Sequence, residues 1–192
     1  MSATPPNADT TIEQIESLFV SRGSAWYGGE AVSQLEHALQ AATFAEAEAA
    51  GPVLIVAALL HDVGHLMHEL PENAAHNGVD DRHELLGATW LNEYFGMPVA
   101  EPVKMHVAAK RYLCAIDATY RMRLSPASQL SLQIQGGPMA TKEATHFEEQ
   151  PFFREAVRLR GWDDEAKIVG AETPTLDHFL THVRRALLEL NR

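Results

Sequence analysis

His61 and Asp62 stand side by side at the end of the apolar run Val53-Leu-Ile-Val-Ala-Ala-Leu-Leu60. An adjacent imidazole and carboxylate can serve one metal centre, since each offers a lone pair to a first-row transition ion. Further side chains of this chemistry are spread along the chain: His37 upstream, then His83, His106 and Asp163. The order is H…HD…H…H…D. Apart from the central pair these residues are far apart, so a centre built from them needs helices that bring distant ligands together around two metal ions. The ten histidines prove nothing by their number. His68, His76, His146, His178 and His182 fall outside the ordered pattern and are read as surface or structural side chains.

The elements expected to position these groups are helical. Thr10-Thr-Ile-Glu13 has capping-box spacing ahead of Ile15, Leu18 and Phe19. Residues 30–50 are rich in alanine and strongly favour a helix, with His37 between apolar neighbours. Pro52 suits the first turn of the next helix, which carries His61-Asp62 near its end, and Gly64 weakens it. Residues 66–80 read as a loop, with Pro71, Asn73, Asn77 and Gly78. Asp81-Arg-His-Glu84 is a second capping-box-like start. Gly96 stops that helix and Pro98 begins another, on which His106 and Lys110 lie one turn apart and share a face. Ser125-Pro126 caps a further helix, and Gln135-Gly-Gly-Pro138 is a turn. Helical pieces are expected at about 141–149, 151–160 and 174–190. No segment alternates as a strand would, so the expectation is an all-α chain: a flexible leader over 1–9 and a single helical bundle over 10–192.

Bulk properties narrow the function. A chain of 192 residues suits one domain with a real core. No stretch approaches the roughly 20 apolar residues that span a bilayer, so no membrane partner is expected. The N-terminus lacks the basic and apolar regions of a secretory signal. Cys114 is the sole cysteine, which rules out an intrachain disulfide and fits a cytoplasmic location. A net charge of −11 argues against a nucleic-acid surface. A small anionic substrate needs a locally positive site. The oligomeric state is not encoded in any feature of the chain.

The set His37, His61-Asp62, His83, His106 and Asp163 has the order and rough spacing of the HD-domain superfamily. The resemblance implies that Asp62 bridges two metals, that His37, His61 and Asp163 complete one, and that His83 and His106 serve the other. Four imidazoles and two carboxylates suit iron or manganese better than calcium or magnesium. Two octahedral ions offer about twelve coordination positions and these side chains fill about seven, leaving room for water, substrate or dioxygen.

Further segments point to a narrower group: Tyr27-Gly-Gly-Glu30, Gln34-Leu-Glu-His37, His106-Val-Ala-Ala-Lys-Arg-Tyr-Leu113, Ser125-Pro-Ala-Ser128, Gln135-Gly-Gly-Pro-Met139 and Arg160-Gly-Trp-Asp163. Over residues 15–165 the chain resembles the HD-domain mixed-valent di-iron oxygenases that cleave the C–P bond of 1-hydroxyalkylphosphonates. The tail after 165 adds nothing to the likeness. The resemblance implies two iron ions, one Fe(II) and one Fe(III), with O2 as co-substrate and a small organophosphonate as partner. Lys110 and Arg160 would supply the positive donors a phosphonate needs, Arg160 in a bidentate manner. Ser128 and His65 would add hydrogen bonds, and Gln135 would shape the pocket. Tyr27 and Glu30 resemble a mobile substrate sensor: Tyr27 occupies the oxygen position on iron until a substrate ammonium engages Glu30. Family members accept 2-amino-1-hydroxyethylphosphonate or its N-trimethylated analogue, giving glycine or glycine betaine plus phosphate. Trp26 beside Tyr27 could help cage a quaternary ammonium, which tilts the expectation toward the trimethylated substrate. The competing readings are an HD phosphohydrolase of a nucleotide or phosphomonoester, a non-catalytic HD regulatory module, and a di-iron oxygenase acting on a polyol.

Overall fold

The computed structural model describes residues 7–70 and 74–190. Ten α-helices are found there: α1 (Ala8–Arg22), α2 (Gln34–Ala47), α3 (Pro52–Leu60), α4 (His83–Phe95), α5 (Met97–Ile116), α6 (Tyr120–Arg123), α7 (Pro126–Ile134), α8 (Thr141–Glu148), α9 (Phe153–Glu165) and α10 (Leu176–Leu190). Among the described residues the one β-like feature is an isolated bridge between Trp26 and Ser33, and none of the helices is long and apolar enough to cross a membrane.

Helix α3 is the axis of the bundle. Residues Leu54–Leu60 are all buried, which is why that segment reads as a continuous apolar run rather than a stripe. Helices α2, α5, α9 and α10 pack around it. Leu59, Leu60, Leu91, Leu159 and Phe179 fill the core between them. A helix covered on all sides presents its C-terminal end to the interior, so His61 and Asp62, which follow Leu60, emerge at the centre of the bundle.

Several helix starts differ from expectation. Helix α1 begins at Ala8, inside the segment read as a leader, because the Asn7 side chain accepts the Asp9 N–H at 3.3 Å; Thr10 is not the cap. Residues 1–6 of that leader, and Pro71 and Asn73 of the expected loop, lie outside the described residues, as does the His76 side chain. Helix α2 starts at Gln34 rather than near residue 30. Ser33 and Glu36 form a reciprocal capping box, with Glu36 N–H to Ser33 Oγ at 3.2 Å and Ser33 N–H to Glu36 Oε2 at 2.7 Å. Residues 27–33 instead form a tight turn closed by Tyr27 N–H to Val32 O at 3.0 Å. At α4 the capping box is absent: Asp81 accepts the His83 N–H at 3.2 Å, and Glu84 does not reach back.

Gly64 does more than weaken a helix. It lies in a 3-10 turn over Val63–Leu66, and a Cβ there would meet the His83 carbonyl oxygen at 2.1 Å. Its missing side chain lets the turn after Asp62 lie against the start of α4, which sets His61-Asp62 beside His83.

Candidate metal centre and substrate cavity

Four helices converge on the end of α3. Helix α2 brings His37, α4 contributes its first residue His83, α5 brings His106, and α9 runs a turn beyond the expected 160 and brings Asp163. All six expected ligands are buried. They fall into two groups sharing one carboxylate. Asp62 Oδ2 faces His61 Nε2 at 3.3 Å and His37 Nε2 at 3.6 Å, and Asp163 Oδ1 joins them at 3.4 Å from His37 Nε2. Asp62 Oδ1 faces His83 Nε2 at 3.3 Å and His106 Nε2 at 3.5 Å.

The donor set fits a pair of metal ions on three counts. Both Asp62 oxygens are buried and accept no hydrogen bond, an expense the fold tolerates only if something else satisfies them. The Nε2 atoms of His37 and His61 lie 3.0 Å apart and those of His83 and His106 3.2 Å. Ligands about 2.1 Å from one ion and at right angles to each other sit about 3.0 Å apart. Finally, every Nδ1 is occupied from behind: His37 by Ala166 O at 2.7 Å, His61 by Ala58 O at 2.8 Å, His106 by Val103 O at 2.6 Å and His83 by Asp81 Oδ1 at 2.8 Å. A ring that donates from Nδ1 keeps its Nε2 lone pair free and pointing inward, the tautomer a metal requires.

The carboxylates set the charge of the centre: against burial, Asp62 and Asp81 push the His83 imidazole up to about 9, and Asp62 raises His61. Burial pushes the Asp62 carboxyl up, but His61, His83 and His65 together hold it well below the usual carboxylate range. Asp163 is likewise held low against burial, chiefly by Arg160. Burial, reinforced by His83 and His61, pushes the His106 imidazole down to about 3, which leaves it neutral.

A cavity of about 510 Å³ opens onto the two groups. Tyr27, Glu30, His65, Lys110, Ser128 and Arg160 line it, so six of the seven expected substrate contacts meet there. Gln135 does not: it ends α7 and stands away from the cavity wall. Lys110 is 2% exposed and donates to Ser131 Oγ at 2.7 Å; burial, seconded by Arg160, pushes its ammonium down to about 7. The bidentate edge expected to hold a phosphonate from Arg160 is engaged inside the protein. Its Nε and Nη2 both bond Asp164, and Nη1 donates to Asp163 Oδ2 at 2.6 Å. Tyr27 stacks on the His37 ring at 3.7 Å, and its hydroxyl donates to Asp163 Oδ1 at 3.3 Å. Burial, with the carboxylates of Asp163 and Asp62, keeps that phenol protonated.

Two residues of this site were not legible in the sequence. Asp81, read as a helix start, holds three rings at once: His83 Nδ1 at 2.8 Å, His65 Nδ1 at 2.9 Å and His68 Nε2 at 3.3 Å. The signal was its place two residues before a candidate ligand. Lys167 lies in the tail that carried no resemblance. Its Nζ donates to Ser128 Oγ at 2.9 Å, stands 3.8 Å from Glu30 Oε1, and lies 5.9 Å from the Tyr27 ring centroid. Ser125 also donates to Glu30 Oε1. The turn at residues 27–30 is therefore tied to α7 and to the chain after α9.

A bundle that splits four imidazoles between the two oxygens of one buried aspartate defines the class, and the family comparison agrees: residues 35–131 match the HD domain model, and the chain belongs to the HD-domain family. Within it, the chain groups with the phosphonate dioxygenases. It is 46% identical to hydroxymethylphosphonate dioxygenase of Gimesia maris over 179 residues, covering 91% of this chain and 89% of that protein. It is 41% identical to [1-hydroxy-2-(trimethylamino)ethyl]phosphonate dioxygenase (glycine-betaine-forming) of Leisingera caerulea over 179 residues, 93% of this chain and 91% of that protein. An uncharacterized protein of Acanthamoeba polyphaga mimivirus is 35% identical over 171 residues, 88% of this chain and 78% of that protein.

Proposed function

We propose that this chain is a di-iron dioxygenase that uses O2 to cleave the C–P bond of a 1-hydroxyalkylphosphonate, releasing a carboxylate and phosphate. The observation that carries the reading is Asp62, with one unpartnered oxygen facing each imidazole pair, behind a cavity whose wall includes His83, His106, Asp163 and a buried lysine. His37, His61, Asp62 and Asp163 would hold one ion, and His83 and His106, with the other oxygen of Asp62, the second. Iron there would supply the one-electron exchange with O2 that no side chain provides. The carboxylate and phosphate together account for every atom of substrate and O2.

The remaining groups bind and orient. Lys110 meets the phosphonate and becomes fully charged against a dianion, which offsets its burial. Ser128 and His65 flank the same space. Arg160 acts one step back: it holds Asp163 and Asp164 and lends the cavity a positive wall. Tyr27, stacked on His37 and bonded to Asp163, covers the open side until the turn it belongs to moves. Asp81 fixes the orientation of His65 and His83 together.

The substrate we propose carries a cationic arm: 1-hydroxy-2-(trimethylammonio)ethylphosphonate, or its 2-amino counterpart, giving glycine betaine or glycine. The cavity is far larger than the reacting group needs, and Trp26, Tyr27, Glu30, Glu69 and Asp80 give it aromatic and acidic walls beyond Lys110. A second reading, hydroxymethylphosphonate, is favoured by the pairing of Glu30 with Ser125 and Lys167, which already occupies the carboxylate an ammonium would seek. The test is anaerobic loading with ferrous iron, followed by O2 uptake, phosphate release and product identification with all three phosphonates. One O2 consumed per phosphate released supports the reading. Phosphate without O2 uptake would instead establish a phosphohydrolase.

A further inference from the structure

We propose a second metal site, separate from the centre at Asp62, formed by Glu46, His178 and His182 and suited to a single zinc-class ion. Glu46 lies in the last turn of α2. His178 and His182 lie one turn apart on α10, so their rings project from one face of that helix. His178 Nε2 is 3.0 Å from each Glu46 oxygen, and His182 Nε2 is 2.8 Å from Oε1. These separations are close to those within the imidazole pairs at Asp62, and one coordinating atom of each residue lies within 4.8 Å of the other two.

Three features make this more than a surface ion pair. His182 is only 7% exposed, so its ring is locked in place with Nε2 aimed at Glu46. Its Nδ1 is buried and bonds nothing, so no acceptor fixes the tautomer, and the ring proton can move to Nδ1 when Nε2 exchanges its hydrogen bond to Glu46 for a metal. His178 is half-exposed and leaves an entry path. Two imidazoles and one carboxylate are a donor set for zinc, nickel or copper, with a fourth position open to water. The net charge of −11 favours cation capture in general.

The ligands are 132 and 136 residues apart in the chain, so an ion there would staple the C-terminal helix to α2, which also carries His37. The role is structural and calls on nothing at the candidate reaction site.

The test uses the iron-loaded full chain. Wild type and His178→Ala are incubated with stoichiometric Zn2+, freed of unbound metal, and assayed for zinc and iron by elemental analysis; thermal melting is followed in parallel. Expected are one zinc per chain in wild type with iron unchanged, at least tenfold weaker zinc binding in His178→Ala, and a melting point that zinc raises by a few degrees in wild type alone. Co2+ in place of zinc should give a d–d spectrum in wild type that Glu46→Gln loses. Zinc uptake equal in wild type and His178→Ala, zinc uptake matched by iron loss, or no zinc uptake by wild type would each overturn the assignment.

Discussion

Replacing Lys110 with methionine should make the protein more stable and less able to bind phosphonate. Lys110 is 2% exposed, and burial, seconded by Arg160, takes its ammonium from the ordinary 10.5 down to about 7. Each tenfold loss of proton affinity corresponds to about 1.4 kcal/mol, so folding with a charged Lys110 costs about 5 kcal/mol. Between pH 7 and 10.5 the unfolded chain keeps this proton while the folded chain has released it. The penalty is therefore full below pH 7, shrinks as the pH rises through that interval, and is absent above it. Losing the bond to Ser131 takes back about 1 kcal/mol, and imperfect packing of methionine a similar amount. The metal-free Lys110→Met variant should thus gain about 3 kcal/mol at pH 6, a rise of about 6–12 °C in melting temperature for a chain of this size. Near pH 10.5, where the penalty has nearly vanished, the gain should give way to a loss of about 2 kcal/mol. Urea unfolding of both metal-free proteins at pH 6, 8 and 10 measures this directly. In the same variant phosphonate affinity should fall about 100-fold, the worth of one buried charge-assisted bond. A variant less stable than wild type at pH 6, or a stability gap that does not narrow with pH, would show that Lys110 supports the fold and not an anionic ligand.

Asp81→Asn should weaken metal binding at the His83–His106 side by about 10–100-fold while leaving the fold intact, read by metal titration and calorimetric melting. Gly64→Ala drives a Cβ to 2.1 Å from the His83 carbonyl oxygen; it should destabilise the protein by about 3 kcal/mol and lower its metal content, and a stable, fully loaded variant would contradict the close-approach argument. Lys167→Gln should loosen the turn at residues 27–30, so that amide hydrogen exchange across 24–33 quickens even without metal, whereas Lys167→Arg should restore protection. Unchanged exchange in the glutamine variant would remove Lys167 from the network that holds Tyr27 and Glu30.

The ligand types and the helical class were open to a reading of the chain because both are written locally. An imidazole or carboxylate is a potential ligand wherever it stands, and helix propensity, prolines and glycines punctuate the chain residue by residue. The all-α bundle and the gathering of His37, His61, Asp62, His83, His106 and Asp163 accord with that reading. Helix ends were less legible. Asn7 outcompetes Thr10, and Asp81 turns its carboxylate on His83 rather than completing a cap, because caps depend on which side chain the fold leaves free.

Only the tertiary structure decided the rest, since distance through space is not encoded at any single position. That one Asp62 oxygen faces each imidazole pair follows from Gly64 letting the turn lie against α4. Arg160 and Asp164 pair as i,i+4 neighbours on α9, a contact open to the sequence, but that Lys167 reaches back to Ser128 and Glu30 follows from the path of the chain after α9. The site of Glu46, His178 and His182 has the same origin: its members look like ordinary surface residues until α2 and α10 are packed side by side. Sequence named the atoms able to do chemistry; packing chose which of them meet, because burial and hydrogen bonding act between neighbours in space and not along the chain.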